Sequence, residues 1–209
     1  ASRTCTFTSD LSESVEVGAN YITLDGNGHT LDGGETSCSL QGHGINLDAK
    51  TNIVVKNFTI KNFCNGINFS NSVDNSVLDN TIIDSYADGI HIFGSSNDIV
   101  SNNVLTNNGK WVATFISPSA GGGKYPSAVL QYGSSVSNPN AYWAIALTKA
   151  SGFLITGNTI SAPDAGICDN DFDIYGLGLG DNDCAGRGGI KANLIDPTIS
   201  IIENNNISG

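Results

Sequence analysis

A four-residue phrase recurs six times along this chain, and its spacing leaves few folds open. It reads Gly44-Ile45-Asn46-Leu47, Gly66-Ile67-Asn68-Phe69, Gly89-Ile90-His91-Ile92, Ala144-Ile145-Ala146-Leu147, Gly166-Ile167-Cys168 and Gly189-Ile190-Lys191-Ala192. The steps between first residues are 22, 23, 55, 22 and 23. A second phrase ends 13 or 14 residues after the start of four copies: Val54-x-x-Asn57, Val77-x-x-Asn80, Ile99-x-x-Asn102 and Ile155-x-x-Asn158. A period in the low twenties, built from short β-branched stretches and Asn/Gly turns, belongs to a solenoid that makes one coil per repeat. Within each phrase the flanking aliphatics, Ile45 and Leu47 or Ile90 and Ile92, are expected to face inward. The residue between them then faces outward.

Composition agrees with such a surface. Charged residues are only 14% of the 209, while Gly and Asn number 25 each. Both tolerate the left-handed backbone that tight β corners demand. The formal net charge of −11 argues against binding nucleic acid or an anionic membrane, since both call for a basic face. No apolar run approaches the ~20 residues of a bilayer span, so membrane insertion is not expected. No signal peptide is visible, so either the sequence is the mature form or the protein never had one. Five cysteines suit an oxidising compartment, hence a secreted, extracellular or cell-surface location. Cys168 and Cys184 bracket an acidic stretch and are expected to pair. One more bridge is expected among Cys5, Cys38 and Cys64.

Read in order, residues 1–14 form an N-terminal capping strand that covers the first coil. Coils follow from Val15, and three run almost without insertion from 44 to 108. Asn57, Asn80, Asn102 and Asn158 are placed at equivalent corners, where stacked amides can hydrogen-bond from coil to coil. The 55-residue step is one coil carrying a loop insertion at 109–142, rich in Gly, Ser and aromatics. Two further coils are expected to start at Gly166 and Gly189, with an acidic Cys-bracketed loop at 164–188. The whole chain is one domain of about seven coils, roughly 34 Å long at ~4.8 Å per coil.

Ile22-Thr23-Leu24-Asp25-Gly26-Asn27-Gly28-His29-Thr30-Leu31, with the Gly-Ile repeats and the Asn corners, resembles the right-handed parallel β-helix proteins with short coil repeats. That group includes pectate-lyase-like enzymes, alginate lyases and epimerases, and NosD-like proteins. The resemblance covers roughly 15–108 and 144–209 and implies the fold: all-β, a right-handed parallel β-helix. Activity motifs depart from the group. Gly42-His43-Gly44 is similar to the Gly-His-Gly of polygalacturonases but precedes the acidic clusters it follows there. Arg187-Gly188-Gly189-Ile190-Lys191 is similar to their Arg-Ile-Lys only with an insertion. Tyr86-Ala87-Asp88-Gly89-Ile90-His91 is a loose counterpart of the Asp-Pro-His motif of alginate epimerases.

The outward stripe reads Asn46, Asn68, His91, Ala146, Cys168, Lys191. For an acidic polysaccharide, His91 is the candidate base, and Lys191 or Arg187 the candidate carboxylate neutraliser. In the insertion, Trp111 and Tyr125, with Trp143 just after it, offer flat faces for stacking on sugar rings. Asp169, Asp171, Asp173, Asp181 and Asp183 alternate oxygens around a Gly-rich turn, which suits Ca2+. Asn57-Phe58-Thr59, Asn68-Phe69-Ser70 and Asn206-Ile207-Ser208 are acceptors for a covalent glycan, Asn68 foremost.

The lack of a coherent catalytic set favours a non-enzyme. The first expectation is an extracellular structural or surface β-helix that self-associates by end-to-end coil stacking into a filament or surface layer. It rests on a last coil with no cap after it. The alternatives are a polysaccharide lyase, epimerase or hydrolase, and a non-catalytic carbohydrate-binding β-helix.

Overall fold

A computed structural model describes residues 3–34, 42–108, 145–161, 167–169, 190–196 and 201–208. The described chain winds as a right-handed parallel β-helix with three sheets. The first coil holds β1 (Arg3–Thr6) and β2 (Val15–Glu16), and the second β3 (Ile22–Asp25), β4 (Thr30–Asp32) and β5 (His43–Asn46). The third holds β6 (Val54–Lys56), β7 (Thr59–Lys61) and β8 (Asn65–Ser70); the fourth, β9 (Ser76–Leu78), β10 (Thr81–Ile83) and β11 (Ile90–Phe93). β12 (Ile99–Ser101), β13 (Val104–Thr106) and β14 (Ile145–Ser151) make the fifth. β15 (Leu154–Thr156) and β16 (Thr159–Ser161) continue into β17 (Ile167–Asp169) and β18 (Ile190–Asp196). β19 (Ile201–Glu203) and β20 (Asn206–Ser208) come last. The first sheet runs β1-β3-β6-β9-β12-β15-β19, the second β4-β7-β10-β13-β16-β20, the third β2-β5-β8-β11-β14-β18-β17.

Each sheet stacks one aliphatic column into the core. Leu24, Val55, Val77, Val100 and Ile155 are in register in the first sheet. Leu31, Ile60, Ile82, Leu105 and Ile160 stack in the second, and Ile45, Ile67, Ile90, Ile145 and Ile190 in the third. Nearly all are fully buried. At ~1.5–3 kcal/mol for each buried aliphatic, a coil gains most of its stability from these three positions and from the Leu47, Phe69 and Ile92 column beside them. The inward assignment of the Gly-Ile-x-φ phrase thus holds.

Three expectations change. Residues 3–16 are a coil in their own right, not only a covering strand: β1 pairs with β3, Leu11 bridges Leu31, and β2 pairs with β5. The phrase at 166 does not begin the coil after β14. β18 docks directly on β14, and β17 lies outside β18. Finally, the four corner asparagines belong to two adjacent columns. Asn80, Asn103 and Asn158, all buried, and the half-buried Asn205 form the ladder, each Oδ1 accepting the backbone N–H of the preceding coil at 2.9–3.1 Å, beginning with Phe58. Their Nδ2 groups donate to the carbonyls of Val55, Val77, Val100 and Ile155. Asn57 and Asn102 sit one residue earlier, at φ 59° and 56°, with Asp79, Gly157 and Asn204 at the same turn. One asparagine position satisfies buried backbone; its neighbour bends the chain through the left-handed region.

Candidate functional site

The outward side of the third sheet carries polar side chains at fixed places in each coil. Gly44 and Gly66 begin their phrases because a Cβ there would strike the carbonyl of the next coil, 2.6 Å from Gly66 O and 2.5 Å from Gly89 O. The isoleucine after each glycine turns into the core. The residues on either side of the pair lie outside the aliphatic core, some buried and some open to solvent, and they stack in two columns. Before the glycine stand His43, Asn65 and Asp88; after the isoleucine stand Glu16, Asn46, Asn68 and His91.

Both columns are hydrogen-bonded along the helix axis. Asn46 Nδ2 donates to Glu16 Oε2 at 2.9 Å, and Asn68 Nδ2 to Asn46 Oδ1 at 2.9 Å. His91 Nδ1 lies 3.2 Å from Asn68 Oδ1. In the other column the backbone N–H of Asp88 donates to Asn65 Oδ1 at 3.0 Å, and Asn65 Nδ2 lies 3.3 Å from His43 Nδ1. Asn65 and Asn68 are buried, whereas both imidazoles stay partly open to solvent. Burial holds the His91 pKa below the ordinary histidine value. His43 is lowered first by burial and then by the nearby His91, with Glu16 opposing. At neutral pH both rings are therefore uncharged, and each is held through Nδ1 alone among the described residues. No Lys or Arg occurs in β2, β5, β8 or β11, so this stretch of the face is uncharged but for Glu16 and Asp88.

Of the expected catalytic residues, His91 sits on this face. Lys191 takes the same register position two rungs further on, through Ala146. Because β18 docks on β14, the two positions are ~10 Å apart along the axis, closer than the order of phrases implied. Arg187 lies outside the described residues, as do Trp111, Tyr125, Trp143, Asp171, Asp173, Asp181 and Asp183 with the loop boundaries 109–142 and 164–188. Asp169 is in β17, paired with Ala192.

Cys5 carries a free, exposed thiol, so the N-terminal bridge does not involve it. Cys64 is disulfide-bonded. Cys168 lies in β17, while Cys38 and Cys184 fall outside the described residues. Among the sequons, Asn68 is not the open site expected. Its side chain is 7% exposed and the nitrogen a glycan would need is bonded to Asn46. Asn57 Nδ2 is likewise bonded to Asp25, while Asn206 is exposed. Sequence reasoning had no site role for Asn65 or Glu16 and weighed His43 only as part of Gly-His-Gly. The signal was present: His43-Gly-Ile, Asn65-Gly-Ile and Asp88-Gly-Ile put a polar residue at one fixed place before each phrase.

The family described as periplasmic copper-binding protein (NosD) matches residues 12–209. No curated protein matches the chain. Solved structures similar to it include a double mutant of the periplasmic alginate epimerase AlgG, 16% identical, with 99% of this chain and 47% of that one covered and a TM-score of 0.46. The same epimerase without substitutions is 16% identical over 98% of this chain and 46% of its own, at a TM-score of 0.38. The chain thus spans about half the length of those enzymes.

Proposed function

We propose, from the premise that this chain belongs to the NosD family, that it is a carbohydrate-binding β-helix of the cell envelope whose ligand lies along the third sheet at His43 and His91. The observation that carries this reading is the double column of amides and uncharged imidazoles on one face, with no Lys or Arg in β2, β5, β8 or β11. Hydroxyl-rich ligands are held by such groups, which donate and accept at fixed points and carry little charge of their own. The family's description as periplasmic supports an envelope location.

The test is binding of neutral and uronate oligosaccharides, followed by calorimetry and by broadening of sugar proton signals. His91→Ala and His43→Ala are each expected to weaken binding at least tenfold, since each removes a directional contact worth on the order of 1.5 kcal/mol. Failure of every oligosaccharide to bind would sink the proposal. Turnover of a uronate polymer is a second reading, supported by the position of Lys191 two rungs from His91. It requires an unsaturated or epimerised product that His91→Ala abolishes.

Self-association by coil stacking, through strand edges that can pair with a second copy, is a separate proposal. Sedimentation that shows a concentration-independent monomer would end it. Calcium held by the acidic stretch at 169–183 is tested by the melting temperature with calcium against EGTA. Copper is named in the family's description. Among the described residues no three His, Cys, Asp or Glu gather into a metal site. The chain has no Met, and of its three His, His29 is engaged with Asp10.

A further inference from the structure

The partners of an imidazole decide which of its nitrogens carries the proton. In the first column the order is set from the far end. An ionised Glu16 carboxylate can only accept, so Asn46 turns its NH2 toward it and leaves its Oδ1 for the next coil. Asn68 must then donate to Asn46 and leave its own Oδ1 for His91. An acceptor 3.2 Å from His91 Nδ1 requires a proton on that nitrogen. Reversing the relay would set Asn46 Oδ1 against the carboxylate. In the second column the fixed end is the backbone N–H of Asp88, which can only donate. It holds Asn65 Oδ1 and turns the Asn65 NH2 toward His43 Nδ1, which must accept. Among the described residues neither ring makes a hydrogen bond through Nε2.

We infer that Glu16, Asn46 and Asn68 are positioning residues that hold His91 as its Nδ1–H tautomer, leaving the Nε2 lone pair for a ligand, while Asn65 holds neighbouring His43 as the opposite tautomer, an Nε2–H donor. The face then offers one fixed acceptor and one fixed donor. That pair, two rungs or ~10 Å apart along the axis, matches an oligosaccharide that places a hydroxyl at His91 and, on another of its residues, an oxygen acceptor at His43; this ligand assignment rests on the carbohydrate reading above. The rings also differ in what they can do with a second proton. His91 can accept one on Nε2 with its relay intact, so it alone can act as a base. His43 cannot gain one on Nδ1 unless Asn65 turns over and leaves the Asp88 N–H unpaired. Burial keeps both rings neutral at neutral pH, which is the state in which the two tautomers are distinct.

The test is long-range 1H–15N correlation on the full 15N-labelled chain at neutral pH. His91 is expected to show a protonated Nδ1 and a bare Nε2, and His43 the reverse. Glu16→Gln, at an exposed position, removes the end that only accepts. His91 should then become a mixture of tautomers while His43 keeps its signature, which also certifies the fold of the variant. Asn68→Asp should raise the titration midpoint of His91 and leave that of His43 nearly in place. A wild-type His91 protonated on Nε2, or a His91 signature unmoved by Glu16→Gln, would overturn the inference. If the tautomers are as stated but no oligosaccharide perturbs either ring, the positioning relay stands and the carbohydrate reading is the part that fails.

Discussion

Asp98 shows how one side chain can set the pH dependence of a whole coil. It occupies the ladder position between Asn75 and Phe153, with Oδ1 accepting the Asn75 N–H at 3.0 Å and Oδ2 buried without a partner. Burial outweighs the bonds from Asn75 and pushes its pKa up to about 7, with Asp74 adding to the rise. The folded chain therefore holds a proton that the unfolded chain releases as pH rises above about 4. Stability is greatest below that window and falls as pH climbs through it toward 7. Asp98→Asn is expected to be more stable than wild type by roughly 1–3 kcal/mol at about pH 8 and nearly equal at about pH 4. Urea melts at the two pH values check this; equal gains at both would refute it. The sequence did not single out Asp98, since Asn97-Asp98 reads as an ordinary turn pair. Its burial follows only from the register that stacks it above Asn75.

At the scale of the element, the corner is where two neighbouring positions use the same residue type for opposite reasons. Asn103 is fully buried, and its amide serves the Asn80 N–H, the Asn80 Nδ2 and the Val77 carbonyl. Asn103→Ala leaves these groups without partners and should cost roughly 2–4 kcal/mol in chemical denaturation. Asn102 is exposed at φ 56°, a conformation glycine adopts readily, as Gly157 does in the next coil. Asn102→Gly should lie within about 0.5 kcal/mol of wild type. Comparable losses at the two sites would show that the columns are not distinct. The sequence made the corner legible but not its phase. Val54-x-x-Asn57 and Val77-x-x-Asn80 look alike, yet Val77 is in register with Val55. The ladder position of the third coil is therefore Phe58, whose ring packs edge-on against Phe7 at 4.9 Å.

Across the whole molecule, the order of coils departs from the order of phrases. If the phrase at 166 followed β14 directly, Cys168 would lie beside Ala146; instead Lys191 does. Ala146→Cys with Lys191→Cys should therefore cross-link under mild oxidation or a short thiol reagent, being one rung of ~4.8 Å apart. Ala146→Cys alone should not capture the native Cys168; peptide mapping that found that bond would restore the sequential order. The period of 22 or 23, the inward aliphatics and the outward stripe with His91 were legible in the sequence. An aliphatic residue at a fixed place in so short a repeat can be buried only by stacking equal turns. Which strand docks on β14, which asparagines are buried and which nitrogen of each histidine carries the proton were decided by the tertiary structure alone. The phrases at 166 and 189 meet the local requirements of a strand equally well. Only the hydrogen-bonding edge that each one finds, distant along the chain, separates them.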